Sequence, residues 1–294
     1  MKVNTQCLTC LVQMQENQVR AFDDEEKKVR YMREILEFLG TCNPELSAPA
    51  LVLPLSRIYE KYWGKSDPDS AVNRIKQEFN DYLLSMEQDL EREIRGHEDT
   101  LEAALTYART GNYIDYASVK DLSREKLLAL LEEQAEGGLD AEEYALFTAE
   151  LKEAKRLVYL TDNCGEIVLD KIALKLLKEQ YPALDIQVIV RGAPVVNDAD
   201  VASAEYVGLD KIVPVMGNGS TVAGTDLSDV SAEAEEMLRS ADLIISKGQG
   251  NFETLHGCGL NIYYLFLCKC DWFMEKFQAE KFQGMFVNER RISF

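Results

Sequence analysis

The sequence predicts an α/β protein: an all-helical N-terminal region, residues 1–155, followed by a doubly wound, mainly parallel sheet, residues 156–294. Before residue 156 the apolar residues recur at helical spacing almost throughout, whereas afterwards short apolar runs alternate with helical segments. Five such runs with four helices between them are typical of parallel strands covered by helices on both faces. Since 46% of the 294 residues are apolar, the chain can bury a sizeable core.

In the N-terminal region, helices are predicted wherever the apolar residues fall on one face. Asp24–Leu39 shows this spacing, with charged residues between the apolar positions. Pro68 is a normal helix start signal, and the pattern after it predicts one long helix over Asp69–Arg95. The other segments with helical spacing are Thr100–Arg109, Ser123–Glu136 and Asp140–Lys155.

In the C-terminal region, strands are predicted at Leu157–Leu160, Ile186–Val190, Ile212–Val215, Leu243–Ile245 and Ile262–Leu267. The helices are predicted to begin near Gly165, Asp198, Ser231 and Asn251. The last apolar run is far too short to span a bilayer. Together with the aromatic residues that follow it, this run predicts an inner strand and then a helix that packs on the sheet.

The charge balance limits the partners. With 32 basic and 51 acidic residues the net charge is −19, which disfavours nucleic acids and anionic membranes. A phosphorylated substrate would therefore need a local cation. The first twenty residues show no signal-peptide pattern, and seven cysteines are an odd number, so we expect a cytoplasmic protein without a disulfide framework. The sequence does not indicate an oligomeric state.

Polar residues follow the ends of successive predicted strands. Asp162-Asn163 comes after the first strand, Asp198 lies a few residues beyond the second, and Lys247 comes after the fourth. Ligands of open parallel sheets bind beyond the carboxyl ends of the strands, so this edge is the predicted active site. Asp162, Asn163 and Asp198 supply only oxygen ligands, which suit Mg²⁺ or Mn²⁺ better than Zn²⁺.

The same edge carries features that suit a phosphate. Gly165 begins a helix whose first N–H groups can bind an anion. Lys247, followed by Gly248, can approach a phosphate as a point charge. An Asp-Asn pair or a Lys-Gly pair alone is more often a turn or a helix cap. Their placement on neighbouring strand ends is what favours a joint metal and phosphate site.

Five stretches resemble the damage-control phosphatase family, once described as domain of unknown function 89. They are ARTGNYIDY at 108–116, TDNCGE at 161–166, RGAPVVNDAD at 191–200, GNGSTVAGTDL at 217–227 and KGQGNFETL at 247–255. CLTC at 7–10 and CKC at 268–270 are similar to a cysteine-bearing prokaryotic branch of that family. The resemblance rests on the order and spacing of these stretches, which span nearly the whole chain.

The resemblance implies a Rossmann-like domain and a divalent-metal-dependent phosphatase. It implies that Asp162, Asn163 and Asp198 hold the metal, and that Lys247 holds the phosphate. Residues on the substrate side would be Asn112 and Asp115, with Glu166, Arg191, Gly248 and Asn251 as less specific assignments. The cation would be Mn²⁺, Co²⁺, Ni²⁺ or Mg²⁺. The substrates would be small phosphometabolites such as sugar phosphates, phosphopantetheine-like esters or nucleotide-like esters, among which the sequence does not choose.

Several alternatives stay open. The nucleophile is either a water on the metal or a carboxylate such as Asp162. A nucleotide- or methyl-donor-binding enzyme of the same fold would usually need a glycine-rich first turn, and TDNCGE has one glycine. Asp198-Ala199-Asp200 mimics a haloacid-dehalogenase-like motif but follows the second strand instead of the first. The chain could also be a non-catalytic metabolite-binding protein. Cys7 and Cys10 are either half of a zinc or redox site or small packing residues.

Overall fold

The computed structural model describes residues 1–64, 68–113, 129, 131, 133 and 137–294. Asp115 and most of the predicted helix Ser123–Glu136 lie outside these residues. The helices before the sheet are α1 Thr5–Val19, α2 Glu25–Thr41, α3 Ala48–Trp63, α4 Pro68–Leu84, α5 Glu87–Ile94, α6 Thr100–Gly111 and α7 Ala141–Glu153. Aspartates cap several of them. Asp24, Asp99 and Asp140 each accept a hydrogen bond from a backbone N–H in the first turn that follows.

The prediction of one helix over Asp69–Arg95 was wrong, because the helix is interrupted between α4 and α5. The Ser85 hydroxyl donates to the Tyr82 carbonyl oxygen at 2.6 Å and so competes for the backbone acceptors of the last turn. The Met86 N–H then donates to Leu83 at 3.0 Å, which tightens the chain before α5 begins. This turn lets Met86 join the buried core.

The sheet has six strands in the order β3-β2-β1-β4-β5-β6. They are β1 Arg156–Leu160, β2 Asp185–Val190, β3 Val215–Gly217, β4 Leu243–Lys247, β5 Ile262–Leu267 and β6 Gly284–Asn288. The helices that follow β1 are α8 Glu166–Gln180, α9 Val201–Tyr206, α10 Ala232–Ser240, α11 Gln249–Leu255 and α12 Asp271–Phe277. Strands β1 to β5 pair in parallel, as predicted for a doubly wound sheet.

Two features of the sheet differ from the prediction. The third strand begins at Val215, since the N–H groups of Ile212 and Val213 both donate to Leu209 and close a turn there. The edge strand β6 was not predicted, and it pairs antiparallel with β5. The predicted inner strand and following helix after Ile262 are confirmed as β5 and α12.

The sheet separates two cores, as the alternation of side chains along a strand requires. Leu157 and Tyr159 pack on the side that holds α4 to α8, and Val158 and Leu160 pack on the opposite side. A third apolar cluster joins α1, α2 and α3. Since the first core contains residues from both sides of the predicted boundary at 155/156, the division into two domains remains a prediction. Among the helices described, none combines the length and apolar character needed to cross a bilayer.

Candidate active site

The chain after β1 and the chain after β2 run side by side, and this brings the three predicted metal ligands together. Asn163 and Asp198 form an isolated antiparallel bridge. The Ala199 N–H donates to the Asp162 carbonyl oxygen at 2.7 Å, and the Cys164 N–H donates to Asn197 at 2.9 Å. The Asn163 amide in turn donates to Asp162 Oδ2 at 2.8 Å. Two carboxylates and one amide therefore share the carboxyl end of the sheet.

Arg191 lies between the two carboxylates. Its Nη2 donates to Asp162 Oδ1 at 3.2 Å, and its Nε donates to Asp198 Oδ2. Its Nη1 donates to Asn251 Oδ1 at 2.7 Å. The side chain is only 2% exposed, so this guanidinium fixes the relative positions of Asp162 and Asp198 from inside the protein. Its predicted contact with substrate stays a prediction.

Asn251 holds Arg191 in place. Besides Arg191, its Oδ1 accepts from the Thr225 hydroxyl at 2.8 Å. Its Nδ2 donates to the carbonyl oxygens of Thr161 at 3.0 Å and Lys247 at 2.8 Å, at the ends of β1 and β4. The buried amide is thus fully occupied by protein partners. The geometry gives it a positioning role, and its predicted substrate contact is untested.

Asn112 is the residue that the helical region contributes to the site. It follows α6, and its Nδ2 donates to Asp162 Oδ2 and to Glu166 Oε2, both at 2.8 Å. Its Oδ1 is buried and has no hydrogen-bond partner among the described residues. A buried amide oxygen without a partner is costly, so a ligand or cation at this point would be stabilised. Asp115, predicted to act beside Asn112, lies outside the described residues.

Lys247 is completely buried, at 0% exposure. Its Nζ donates to Glu166 Oε1 at 2.5 Å, to Asp170 Oδ1 at 2.7 Å and to the Ala108 carbonyl oxygen at 2.8 Å. Burial lowers the pKa of this ammonium, but Asp170 and Glu166 outweigh burial, so its pKa is raised and it stays charged. The three donors of the ammonium are all used. The predicted contact with phosphate would require Lys247 to exchange one of these partners.

Asp170 is a residue that sequence reasoning missed. It accepts from Lys247 and, at 2.7 Å, from the Tyr159 hydroxyl, and burial raises its pKa to about 6. A signal was present in the sequence. Glu166 and Asp170 are four residues apart in a helix whose neighbouring positions are apolar, so both carboxylates had to face the same buried side.

Two N–H groups at the start of α8 already donate to protein acceptors. The Gly165 N–H donates to Asn80 Oδ1 at 2.6 Å, and the Ile167 N–H donates to the Asn163 carbonyl oxygen at 3.2 Å. The predicted anion site at this helix start would therefore need these N–H groups to change partners. Asn80 was not predicted, because it reaches the site from α4.

Gly248 approaches the Asp162 carboxylate more closely than any other residue type could. Its φ is +78°, and a Cβ atom built on it would lie 2.0 Å from Asp162 Oδ2. The residue begins the turn between β4 and α11, and its N–H donates to Leu265 at 3.1 Å. Asp162 can therefore take its position only because residue 248 is a glycine and has no side chain.

The environment of Asp162 favours a cation. Burial raises the pKa of this carboxyl to about 8, with further contributions from the negative charges of Asp198 and Glu166. Arg191 and Lys269 act in the opposite direction. Carboxylates that repel one another in a buried site are stabilised by a shared positive ion. The donor set, made of carboxylate and amide oxygens, fits a hard dication.

This pKa predicts how stability depends on pH without divalent cations. An unfolded aspartate ionises near pH 4, whereas the folded Asp162 keeps its proton to about pH 8. The folded state then binds more protons than the unfolded state in this window, so its stability falls as the pH rises through it and levels off above. We expect Asp162→Asn to remove a slope of up to about 1.4 kcal/mol per pH unit. Urea unfolding of the wild type and of Asp162→Asn, in chelator at several pH values, measures this slope. Equal slopes in the two proteins would contradict the prediction.

Other candidate motifs have structural roles in the protein. Asp200, the second aspartate of the dehalogenase-like motif, caps α9 by accepting from the Ser203 N–H at 2.8 Å, and it pairs with Lys76 at 3.2 Å. Both carboxylate oxygens of Asp200 thus have protein partners, which favours a structural role over that of a second catalytic acid. All seven cysteines are free thiols, and no group of three or more His, Cys, Asp or Glu among the described residues forms a metal-binding cluster.

The chain is similar to known proteins over nearly its whole length. A damage-control phosphatase of Pyrococcus horikoshii is 31% identical over 282 residues, which cover 92% of this chain and 92% of that protein. An uncharacterized protein of Methanocaldococcus jannaschii is 29% identical over 281 residues, which cover 92% of this chain and 90% of its own length.

A crystal structure of a DUF89 family protein from Pyrococcus horikoshii has the same fold, with a TM-score of 0.82 and 28% identity. The superposition covers 98% of this chain and 99% of that one. A family model described as the damage-control phosphatase ARMT1-like domain matches residues 3–284. The resemblance noted in the sequence is thereby confirmed, and the chain belongs to the damage-control phosphatase ARMT1-like family.

Proposed function

We propose that this member of the damage-control phosphatase family hydrolyses small phosphate monoesters with the help of one divalent cation. The observation that carries the proposal is the convergence of Asp162, Asn163 and Asp198 from the ends of β1 and β2. The Oδ1 of Asn112 beside them, which accepts no hydrogen bond within the described part of the chain, would add a further oxygen ligand. The free thiols are compatible with action in the cytoplasm.

Asp162, Asn163 and Asp198 would hold the cation, which when bound draws electron density from a phosphoryl oxygen and offsets the charge of the transition state. Arg191 keeps the two carboxylates at a fixed separation while this happens. Asn112 orients Asp162 and Glu166 through its two hydrogen bonds. Lys247 neutralises Glu166 and Asp170 and so limits the negative charge beneath the site.

The substrates we propose are small phosphometabolites, with sugar phosphates, phosphopantetheine-like esters and nucleotide-like esters as the classes to test. The net charge of −19 would repel such anions from most of the surface, so recognition depends on the local charges of the site. The family and its relatives carry the damage-control name, which favours hydrolysis of damaged or surplus metabolites over a role in a main pathway.

The first test is hydrolysis of a panel of these esters with Mg²⁺, Mn²⁺, Co²⁺ or Ni²⁺, and with chelator. We expect release of inorganic phosphate with at least one ion and none in chelator. A nucleotide-binding or purely metabolite-binding protein would bind ligands in the same panel without releasing phosphate, and that result would overturn the proposal.

Asp162→Ala is expected to abolish turnover while the protein stays folded. The substitution removes one carboxylate of the cation site, and with it the repulsion between that carboxylate and the charges of Asp198 and Glu166. Phosphate release and far-UV circular dichroism, measured on the same preparation, check both halves of this expectation. Normal turnover in the folded variant would exclude Asp162 from the reaction. In the wild type, a phosphorylated Asp162 trapped by acid quenching and found by mass spectrometry would indicate attack by its carboxylate instead of attack by water.

A further inference from the structure

The predicted cation ligands lie on two loops, and α4 contacts both of them. The first ligand loop, residues 161–165, follows β1, and the second ligand loop, residues 191–200, follows β2. Two side chains of α4 bond to these loops, Lys76 with 4% exposure and Asn80 with 2%. Residues four apart in a helix lie on the same face. One buried face of α4 therefore reaches both loops.

Asn80 bonds to the end of the first ligand loop. Its Oδ1 accepts from the Gly165 N–H at 2.6 Å, and Gly165 is three residues after Asp162. The N–H groups at the start of a helix have no acceptor within that helix, so Asn80 supplies one from a different helix. The contact is close, because a Cβ atom built on Gly165 would lie 3.1 Å from Phe79 Cβ. The position of this loop thus depends on α4.

Lys76 bonds to the end of the second ligand loop. Its Nζ donates to Asp200 Oδ2 at 3.2 Å, and Asp200 is two residues after Asp198. The other carboxylate oxygen of Asp200 accepts from the N–H and from the hydroxyl of Ser203, both at 2.8 Å. Lys76 therefore fixes the point at which the second loop continues into α9.

We propose that Asn80 and Lys76 are positioning residues, which hold the two ligand loops where Asp162 and Asp198 can share one cation. The inference rests on the proposed function and names residues outside the ligand set on which the cation site depends. Without Asn80, the buried Gly165 N–H would have no acceptor, so the first ligand loop would shift toward another one. Asp162 would move with the loop, because only two residues separate it from Gly165.

The first test is Asn80→Leu, which exchanges one uncharged side chain for another of similar size and removes the acceptor. The control is Gln77→Leu, which removes an exposed amide from the same helix. Mn²⁺ is titrated into each folded protein by calorimetry. We expect Asn80→Leu to bind Mn²⁺ about 10- to 100-fold more weakly, the range for residues that orient metal ligands. Gln77→Leu should bind as the wild type does, and Asn80→Asp, which keeps an acceptor, should bind at least as well.

The second test is Lys76→Met, which separates positioning from charge. The substitution removes the positive charge that pairs with Asp200, and this change of charge alone would strengthen the binding of a cation nearby. A second ligand loop that is no longer held would weaken it. We expect weaker Mn²⁺ binding in Lys76→Met, and unchanged or tighter binding would exclude Lys76 as a positioning residue.

The wild type decides what a negative result means. If it binds Mn²⁺ and hydrolyses esters, but Asn80→Leu and Lys76→Met bind Mn²⁺ as Gln77→Leu does, the inference about α4 is wrong while the proposed function stands. If the wild type neither binds Mn²⁺ nor releases phosphate, the proposed function fails and this inference fails with it.

Discussion

Gly248→Ala is expected to lower kcat/KM by at least about a hundredfold, because a displacement of about 1 Å at a catalytic group has this effect. The added Cβ would lie 2.0 Å from Asp162 Oδ2, so the carboxylate must move. The backbone at Gly248 cannot yield easily, since its N–H is bonded to Leu265 and its φ of +78° already disfavours a side chain. Steady-state hydrolysis measures the loss.

Gly259→Ala is the matched control for this prediction. Gly259 has a φ of +77°, and a Cβ built on it meets no atom within 4 Å. It therefore has the backbone cost of the substitution without the collision. We expect Gly259→Ala to lose stability but to keep nearly all of its activity. If the two variants lose activity equally, the position of Asp162 does not depend on Gly248.

Lys247→Met is expected to destabilise the fold by about 3–5 kcal/mol, the range for breaking a buried ion pair by removing one partner. Glu166 and Asp170 would be left buried without their shared cation. Lys211→Met, at an exposed position, is the control and should leave the free energy of unfolding nearly unchanged. Urea denaturation of the three proteins measures the difference.

A double variant tests the cause of this loss. Asp170→Asn removes one of the two charges that Lys247 neutralises, so Lys247→Met should cost less in that background than in the wild type. An unchanged cost would show that Lys247 stabilises the fold through packing. If Lys247→Met costs little in the wild type, the ammonium is not held as the hydrogen bonds indicate. Lys247 would then be free to bind the phosphate, as the sequence predicted.

The sequence was sufficient to predict that these polar side chains meet, since parallel strands end at a common edge. Asp162, Asn163 and Asp198 follow two neighbouring strands, and the structure places them side by side. The state of Lys247 was not predictable in the same way. Its partners come from α8 and from the end of α6, and the packing of those helices on the sheet is not encoded in the residues around Lys247.

The features that were missed have local causes. The apolar spacing over Asp69–Arg95 continues without a gap, so it does not indicate that the helix breaks at Ser85, where the serine hydroxyl bonds to the backbone. The strand β6 has only five residues and pairs antiparallel with β5. The alternation of strands and helices, which indicates parallel strands, therefore does not predict it.

The most direct measurement is anomalous diffraction from crystals of the wild-type protein soaked in Mn²⁺. We expect a single strong peak within about 2.0–2.6 Å of side-chain oxygens from Asp162, Asn163 and Asp198. Crystals of Asp162→Ala soaked in the same way should lose that peak. A Mn²⁺ ion bound elsewhere, or none bound at concentrations that support hydrolysis, would contradict the assignment of these three residues.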